Sequence, residues 1–517
     1  MGFSLLSFVA FIAVSALLIR LWFGVVNVAL IHVESIKSLE SRRPYLPSFK
    51  TLLVTYIGTA IVFFVALQSG IHNSFGLDST IGALILGTLF ISVAGVVATF
   101  NQRFHHVKEL IFSIAVGTVL AAVLTGFTRA ILTGNISEDP AFMALGFVCI
   151  VLAWRLLFGP WSEHVKATVL GTFIFVIGGI LLWNDPQAVR TSRILASIIA
   201  IIPAILWCLF FLKYHKQRLS MVFLMFFAGM LSTAPILFYD KLVRSGVELQ
   251  FFFFRIVPEN FSTTSTAFIS GNLVGMTGVR STLVVTFVSF LFVGIVEEVS
   301  KFWVIRKSGR RFFSSIDDVL QLSIIVAIGF AFAENVLNPT YFMNFVRAYI
   351  LTSTPNWGAF VGNVLGRAIL TNMVHIVSTG VMGYFMGVAL FAGPILKDGK
   401  SKGRFFILAD GLNSLLRLPK KPVFRKQMLI VGLTFAILLH GLYNFLVTFP
   451  DLLPGRPQSI GHIFGMSNGL LGNIPIVIIP ALFYVVGGSW LLTELFYKKE
   501  NMKERGRLVV ADTFVTD

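Results

Sequence analysis

Charge is scarce in this chain. Asp, Glu, Lys and Arg make up 13% of its 517 residues, about half the share found in ordinary soluble domains. With 56% hydrophobic residues and a mean hydropathy of +0.85, that scarcity excludes a conventional water-soluble fold. Acid is scarcer than base, 24 residues against 41, for a formal charge of +17. The imbalance does not mark a nucleic-acid binder, because the basic residues gather in alternate connectors between apolar runs, where they set membrane topology. Cysteine is nearly absent. Cys149 and Cys208 lie far apart inside apolar runs, which rules out a disulfide framework and a thiolate zinc site. Any metal would need His, Asp, Glu or Asn. A secretory leader is missing as well: the opening residues lack a basic start and a small-residue cleavage site, so they read as a retained first helix.

Apolar runs are what the chain has in abundance. About thirteen runs have roughly the 20 residues needed to cross about 30 Å of hydrocarbon. They lie near 4–31, 51–68, 80–99, 109–132, 141–158, 166–184, 192–213, 219–237, 281–305, 318–342, 366–392, 427–448 and 472–496. With the Lys37 to Lys50 connector taken as cytoplasmic, the other basic connectors fall on the same side. The opposite connectors, such as 69–80 and 134–140, are nearly free of Lys and Arg. The expectation is an all-α polytopic membrane protein, N-terminus out and C-terminus in, multi-pass in the cell membrane. Its partners would be the bilayer and a membrane-anchored protein, not nucleic acid; the sequence says nothing of its oligomeric state. Four regions follow: a multi-spanning region 1–240, an outer segment 241–280, a core 281–448, and a last span with a basic tail, 449–517. The phenylalanine run near Arg255 suits an interfacial or re-entrant element. The connector 393–426, rich in Lys and Arg, is placed to meet anionic lipids at the cytoplasmic face.

The two halves differ in where they put polar residues. Before residue 240 the intramembrane charges are chiefly Arg20, Arg129 and Arg155, near span ends where long side chains reach water. After residue 280, four consecutive spans carry polar groups near their middles: Glu297, Glu298 and Lys301; Glu334 and Asn335; Asn372 and His375; His440 and Asn444. A charge at a helix centre costs about 2.5–3.5 kcal/mol on insertion scales, so such groups normally face inward and pair. Glu297 and Glu298 stand four and three residues before Lys301, and Asn444 stands four after His440, so each set shares a helix face. Singly, each has a structural explanation: an ion pair, a packing histidine, an interhelical amide, and a helix cap for Asp317 and Asp318. Together they supply a general base, metal ligands and a hydrogen-bond donor, enough for water-mediated amide hydrolysis. An ion-coupled transporter would use the same residue types to relay protons, but no inverted repeat or matched broken helices accompany them.

The segments "EEVSK", "FAFAE" and "HGLYN", with Arg367 and His375 between the last two, resemble the motifs of the PrsW family of intramembrane proteases, which is similar to the CAAX-protease and bacteriocin-processing superfamily. The resemblance covers 281 to about 448. It implies a PrsW-like helical bundle in the C-terminal half that cleaves a membrane-anchored protein, as the founding relatives cleave an anti-sigma factor; a CAAX-type prenyl-protein protease is the neighbouring alternative. It implies Glu297, Glu298, Glu334, His375 and His440 as catalytic residues, Asn444 in support, and Lys301 and Arg367 as their partners. Two chemistries remain open. Glu334, His375 and His440 would form a zinc set with an open position, or a glutamate would activate water without metal beside a His and Asn oxyanion hole. Which of Glu297 and Glu298 faces the water is also open, since adjacent helix positions point about 100° apart.

Overall fold

The computed structural model describes most of residues 105–132, 157–237, 249–256 and 279–503. The expected spans near 4–31, 51–68 and 80–99, and nearly all of 141–158, lie outside the described residues. The chain divides into two compact units, Met1–Asn184 and Asp185–Asp517.

In the first unit, α1 (His105–Leu132) packs along α2 (Glu163–Asn184). A Cβ on Gly117 would press on the Val169 carbonyl, so the two backbones touch there.

The second unit is a helical bundle. Its helices are α3 (Gln187–Leu212), α4 (Leu219–Leu231), α5 (Val279–Gly309), α6 (Ile316–Leu337), α7 (Trp357–Gly366), α8 (Asn372–Leu390), α9 (Ala392–Ser401), α10 (Ile407–Leu416), α11 (Lys420–Leu452) and α12 (Gly488–Lys503). Among the described residues, seven helices are long and apolar enough to cross a membrane: Glu163–Leu182, Gln187–Leu212, Leu219–Leu237, Ile316–Leu337, Trp357–Leu390, Lys420–Pro450 and Ile478–Phe496. Helix α5 is not in that set, yet at 31 residues it is about 46 Å long, more than a bilayer core requires.

Helix α6 is the centre of this unit. It is apolar on every side, and nineteen of its 22 residues are buried between α8, α4 and α3. Its start is a capping box: the Ser315 hydroxyl accepts from the Asp318 amide at 3.1 Å, and Asp318 accepts from the Ser314 and Ser315 amides at 2.8 and 3.0 Å. Asp318 therefore caps the helix, as the sequence suggests. Gly329 and Gly229 set the crossing with α4, because a Cβ on either would run into a carbonyl of the facing helix.

Two connectors depart from the sequence reading. The stretch 343–365, which falls between two expected spans, is largely helical, so that α7 lengthens the next span back to Trp357. It joins α8 through a wide π turn, Arg367–Thr371. Within 241–280, Leu249–Phe251 and Phe254–Ile256 form a two-stranded antiparallel hairpin with Gln250 opposite Arg255, a small exception to the all-helical expectation.

Candidate active site

Four helices bring their polar residues to one point. Helix α5 carries Glu297, Glu298 and Lys301; α6 carries Glu334; α8 carries His375; α11 carries His440. Lys301 and Glu298 are fully buried, and Glu297, His375 and His440 nearly so.

The two adjacent glutamates have different surroundings. Glu298 is hydrogen-bonded at both oxygens. It accepts from Lys301 Nζ at 2.8 Å, from His440 Nδ1 at 2.8 Å and from the Thr379 hydroxyl at 3.0 Å; the Ser378 hydroxyl is 3.2 Å away, with its hydrogen shared with the Val374 carbonyl at 2.8 Å. Glu297 Oε2 is buried without a hydrogen bond. It faces His440 Nε2 and Lys301 Nζ, each at 3.5 Å, and His375 Nδ1 at 3.8 Å.

Each histidine has its outer nitrogen on a carboxylate. His440 donates through Nδ1 to Glu298, which leaves the Nε2 lone pair facing Glu297. His375 Nε2 lies 3.2 Å from Glu334 Oε2, an oxygen already ion-paired with Arg367 at 3.1 Å. An ionised carboxylate only accepts, so Nε2 carries the proton and Nδ1 the lone pair. That lone pair accepts from Lys301 Nζ at 3.0 Å. The centre thus collects acceptors, and Lys301 is the one cation inside it among the described residues.

Phe330 gives Lys301 its remaining support. Its ring centroid lies 3.9 Å from Nζ and 5.0 Å from the His375 ring centroid, so the aromatic face takes part of the ammonium's lost hydration. Arg367 leaves the π turn to reach Glu334 and the Asn335 side-chain oxygen, with its guanidinium over the Tyr341 ring. The turn itself is tied to α3, where Trp207 Nε1 donates to the Ala368 carbonyl at 3.0 Å. π turns of this kind recur at functional sites.

The structure brings together Glu297, Glu298, Lys301, Glu334, His375 and His440, with Arg367 attached through Glu334. Asn444 is half-buried one turn beyond His440 and, among the described residues, makes no hydrogen bond to the cluster. Sequence reasoning passes over Ser378, Thr379 and Tyr341. Ser378 and Thr379 follow His375 by three and four positions, a same-face signal that would have pointed to them.

The donors also fit a metal. Ligand atoms of Glu297, His375 and His440 lie within 4.8 Å of one another. Tetrahedral zinc with bonds of about 2.0–2.1 Å needs ligand atoms about 3.4 Å apart, close to the 3.5 and 3.8 Å from Glu297 Oε2 to the two rings. Glu298 behind His440 and Glu334 behind His375 supply the carboxylate backing that metal-bound histidines usually have. In this geometry Glu297 stands where the sequence reading puts Glu334.

Fold and site define a polytopic membrane protein with a buried carboxylate and imidazole centre between its helices. Residues 217–466, just under half of the chain, match the family described as PrsW family intramembrane metalloprotease, and the chain is an integral, multi-pass membrane protein. No curated protein and no solved structure matches the chain.

Proposed function

We propose that the chain is an intramembrane endopeptidase that hydrolyses a peptide bond of a membrane-anchored protein, with Glu297 activating the water. The observation that carries this reading is the contrast between the two glutamates. Both Glu298 oxygens are already engaged, Oε1 by Lys301 and His440 and Oε2 by Thr379, whereas Glu297 Oε2 is buried and unbonded beside the His440 Nε2 lone pair. Two lone pairs 3.5 Å apart repel unless a donor bridges them, and a water seated beside the pair, within reach of both atoms, would give one hydrogen to each.

In the reaction Glu297 takes a proton from that water as its oxygen attacks the scissile carbonyl, then returns the proton to the departing amine. Glu298 holds His440 in the tautomer that keeps Nε2 free, and Glu334 does the same for His375 Nδ1. Lys301 offsets the carboxylate charge at a depth where water cannot. Glu297, His375 and His440 would hold a divalent metal through the same atoms, with the second Glu297 oxygen left to take the proton, and the metal would supply a Lewis acid for the carbonyl. A substrate helix satisfies its own backbone hydrogen bonds, so it must unwind locally to present that carbonyl. Glu334 and Arg367 are the more accessible end of the cluster, with side chains 12% and 14% exposed against 0–5% for the rest, and the bond would arrive from that end.

The test is a panel of tethered transmembrane reporters expressed with wild type or Glu297→Gln. At least one reporter should be cut by the wild type alone. Cutting that persists in the variant would overturn the role given to Glu297.

A further inference from the structure

Lys301 is the least expected member of the cluster, because it stands where a metal-binding centre would have no use for a positive charge. Its ammonium is fully buried, 2.8 Å from Glu298 Oε1, 3.0 Å from His375 Nδ1 and 3.5 Å from Glu297 Oε2. Two of those three contacts are to residues of the candidate metal set.

The tautomer of His375 makes the overlap exclusive. Its Nε2–H is committed to Glu334, whose charge is fixed by Arg367. The only lone pair left in the ring plane is on Nδ1, and an sp² nitrogen has just one. That pair can accept a hydrogen from Lys301 or bind a metal, but not both. His440 has no such conflict, since its Nε2 faces Glu297 with no cation on it.

We propose that Lys301 is a built-in competitor for the metal: the centre holds either the Lys301 to His375 hydrogen bond or a divalent ion on His375, and the ion enters only as Lys301 withdraws onto Glu298. Nothing needs to unfold for this exchange. The ammonium keeps its 2.8 Å partner on Glu298, and the Phe330 ring remains beneath it. Like charge near the ion and the cost of giving up one buried hydrogen bond both weaken metal binding. The chain's zinc affinity is therefore lower than its Glu, His and His donors alone would give. The ion and the lysine are two settings of one site.

The inference rests on the same cluster as the protease reading but is read out by binding. Full-length protein in detergent, stripped by chelator, is titrated with Zn²⁺ by equilibrium dialysis, with His440→Ala as the background. Lys301→Met, which keeps most of the stem and removes the charge, should tighten zinc at least tenfold, and Lys301→Gln should do so as well. An affinity within threefold of wild type in a folded variant would overturn the proposal, as would zinc binding no tighter than background in all forms. Should both variants fail to fold, ¹⁵N-histidine spectra of the wild type decide. Saturating Zn²⁺ should shift the His375 Nδ1 resonance, assigned with His375→Gln, from acceptor to ligand, and zinc bound with that resonance unmoved would refute the exchange. A protein that behaves as expected here but cuts no reporter would sink the protease reading alone.

Discussion

The two adjacent glutamates should separate cleanly when each is replaced by glutamine. Glu298→Gln puts an amide nitrogen among the donors Lys301, His440 and Thr379 and removes the carboxylate 2.8 Å from Lys301, which has no exposed surface. Breaking a buried ion pair from one side costs about 3–5 kcal/mol. Glu297 remains 3.5 Å from the ammonium, so the lower end, about 3 kcal/mol, is expected. Glu297→Gln removes an oxygen that has no hydrogen bond and the more distant carboxylate of Lys301, which keeps Glu298 at 2.8 Å, and should change stability by about 1 kcal/mol or less. Activity should not follow stability. Loss of a general base lowers rate by about 10²–10⁴, so Glu297→Gln should melt like wild type and cut nothing measurable, while Glu298→Gln should be both unstable and inactive. Thermal unfolding in mild detergent beside reporter cleavage reads both. Equal destabilisation of the two variants, or a stable Glu298→Gln beside an unfolded Glu297→Gln, would refute the division of labour.

Other parts of the structure carry expectations of their own. Arg367→Met removes the cation paired with Glu334 and the donor to Asn335; cleavage should fall about tenfold or more, whereas Arg367→Lys should keep the charge but not the fork, and equal activity in both would show the fork to be idle. Gly329→Val would force apart the α4 to α6 crossing and should destabilise by about 1–3 kcal/mol, visible as a lower melting temperature; an unchanged melt would contradict the close crossing. The connector after α8 presents Ile407, Leu415 and Leu416 beside exposed Lys400 and Arg417, which fits anionic phospholipid at the bilayer surface. Lys420 is already engaged there, holding the Asp410 carboxyl below the usual carboxylate range. Native mass spectrometry after release from phosphatidylglycerol-containing nanodiscs should show retained anionic lipid. Retention should drop in Lys400→Gln with Arg417→Gly, a residue that suits the backbone at φ 53°; equal retention would count against lipid contact.

Much of this is legible in the sequence because intramembrane charge is expensive. Glu297, Lys301, Glu334, His375 and His440 stand out in apolar runs, and the cost of isolating them implies that they meet. What the sequence leaves open is which atoms meet. Glu297 and Glu298 are neighbours with one chemistry, and only the positions of Thr379 and His440 on other helices decide that Glu298 is hydrogen-bonded at both oxygens while Glu297 Oε2 is not. Glu334 reads as a ligand from its motif, but Arg367, 33 positions later, draws it to the far nitrogen of His375. The helical connector before Arg367 is hidden for another reason. Its "TSTPNWG" opening looks like a loop, and the Asn356 side chain that starts α7 by accepting from the Ala359 amide is an ordinary cap seen only once the helix is there. The supports from outside 217–466, Trp207 on the π turn and Tyr484 on the Leu439 carbonyl, are tertiary contacts without a local signal.

The central claim is that Glu297 drives peptide-bond hydrolysis inside the membrane. Its most direct test is a comparison of new protein N-termini in membrane fractions from cells carrying wild type or Glu297→Gln at matched levels. The account predicts a small set of cleavages within or beside transmembrane segments that occur with the wild type and vanish in the variant. Identical sets of N-termini in the two would contradict it.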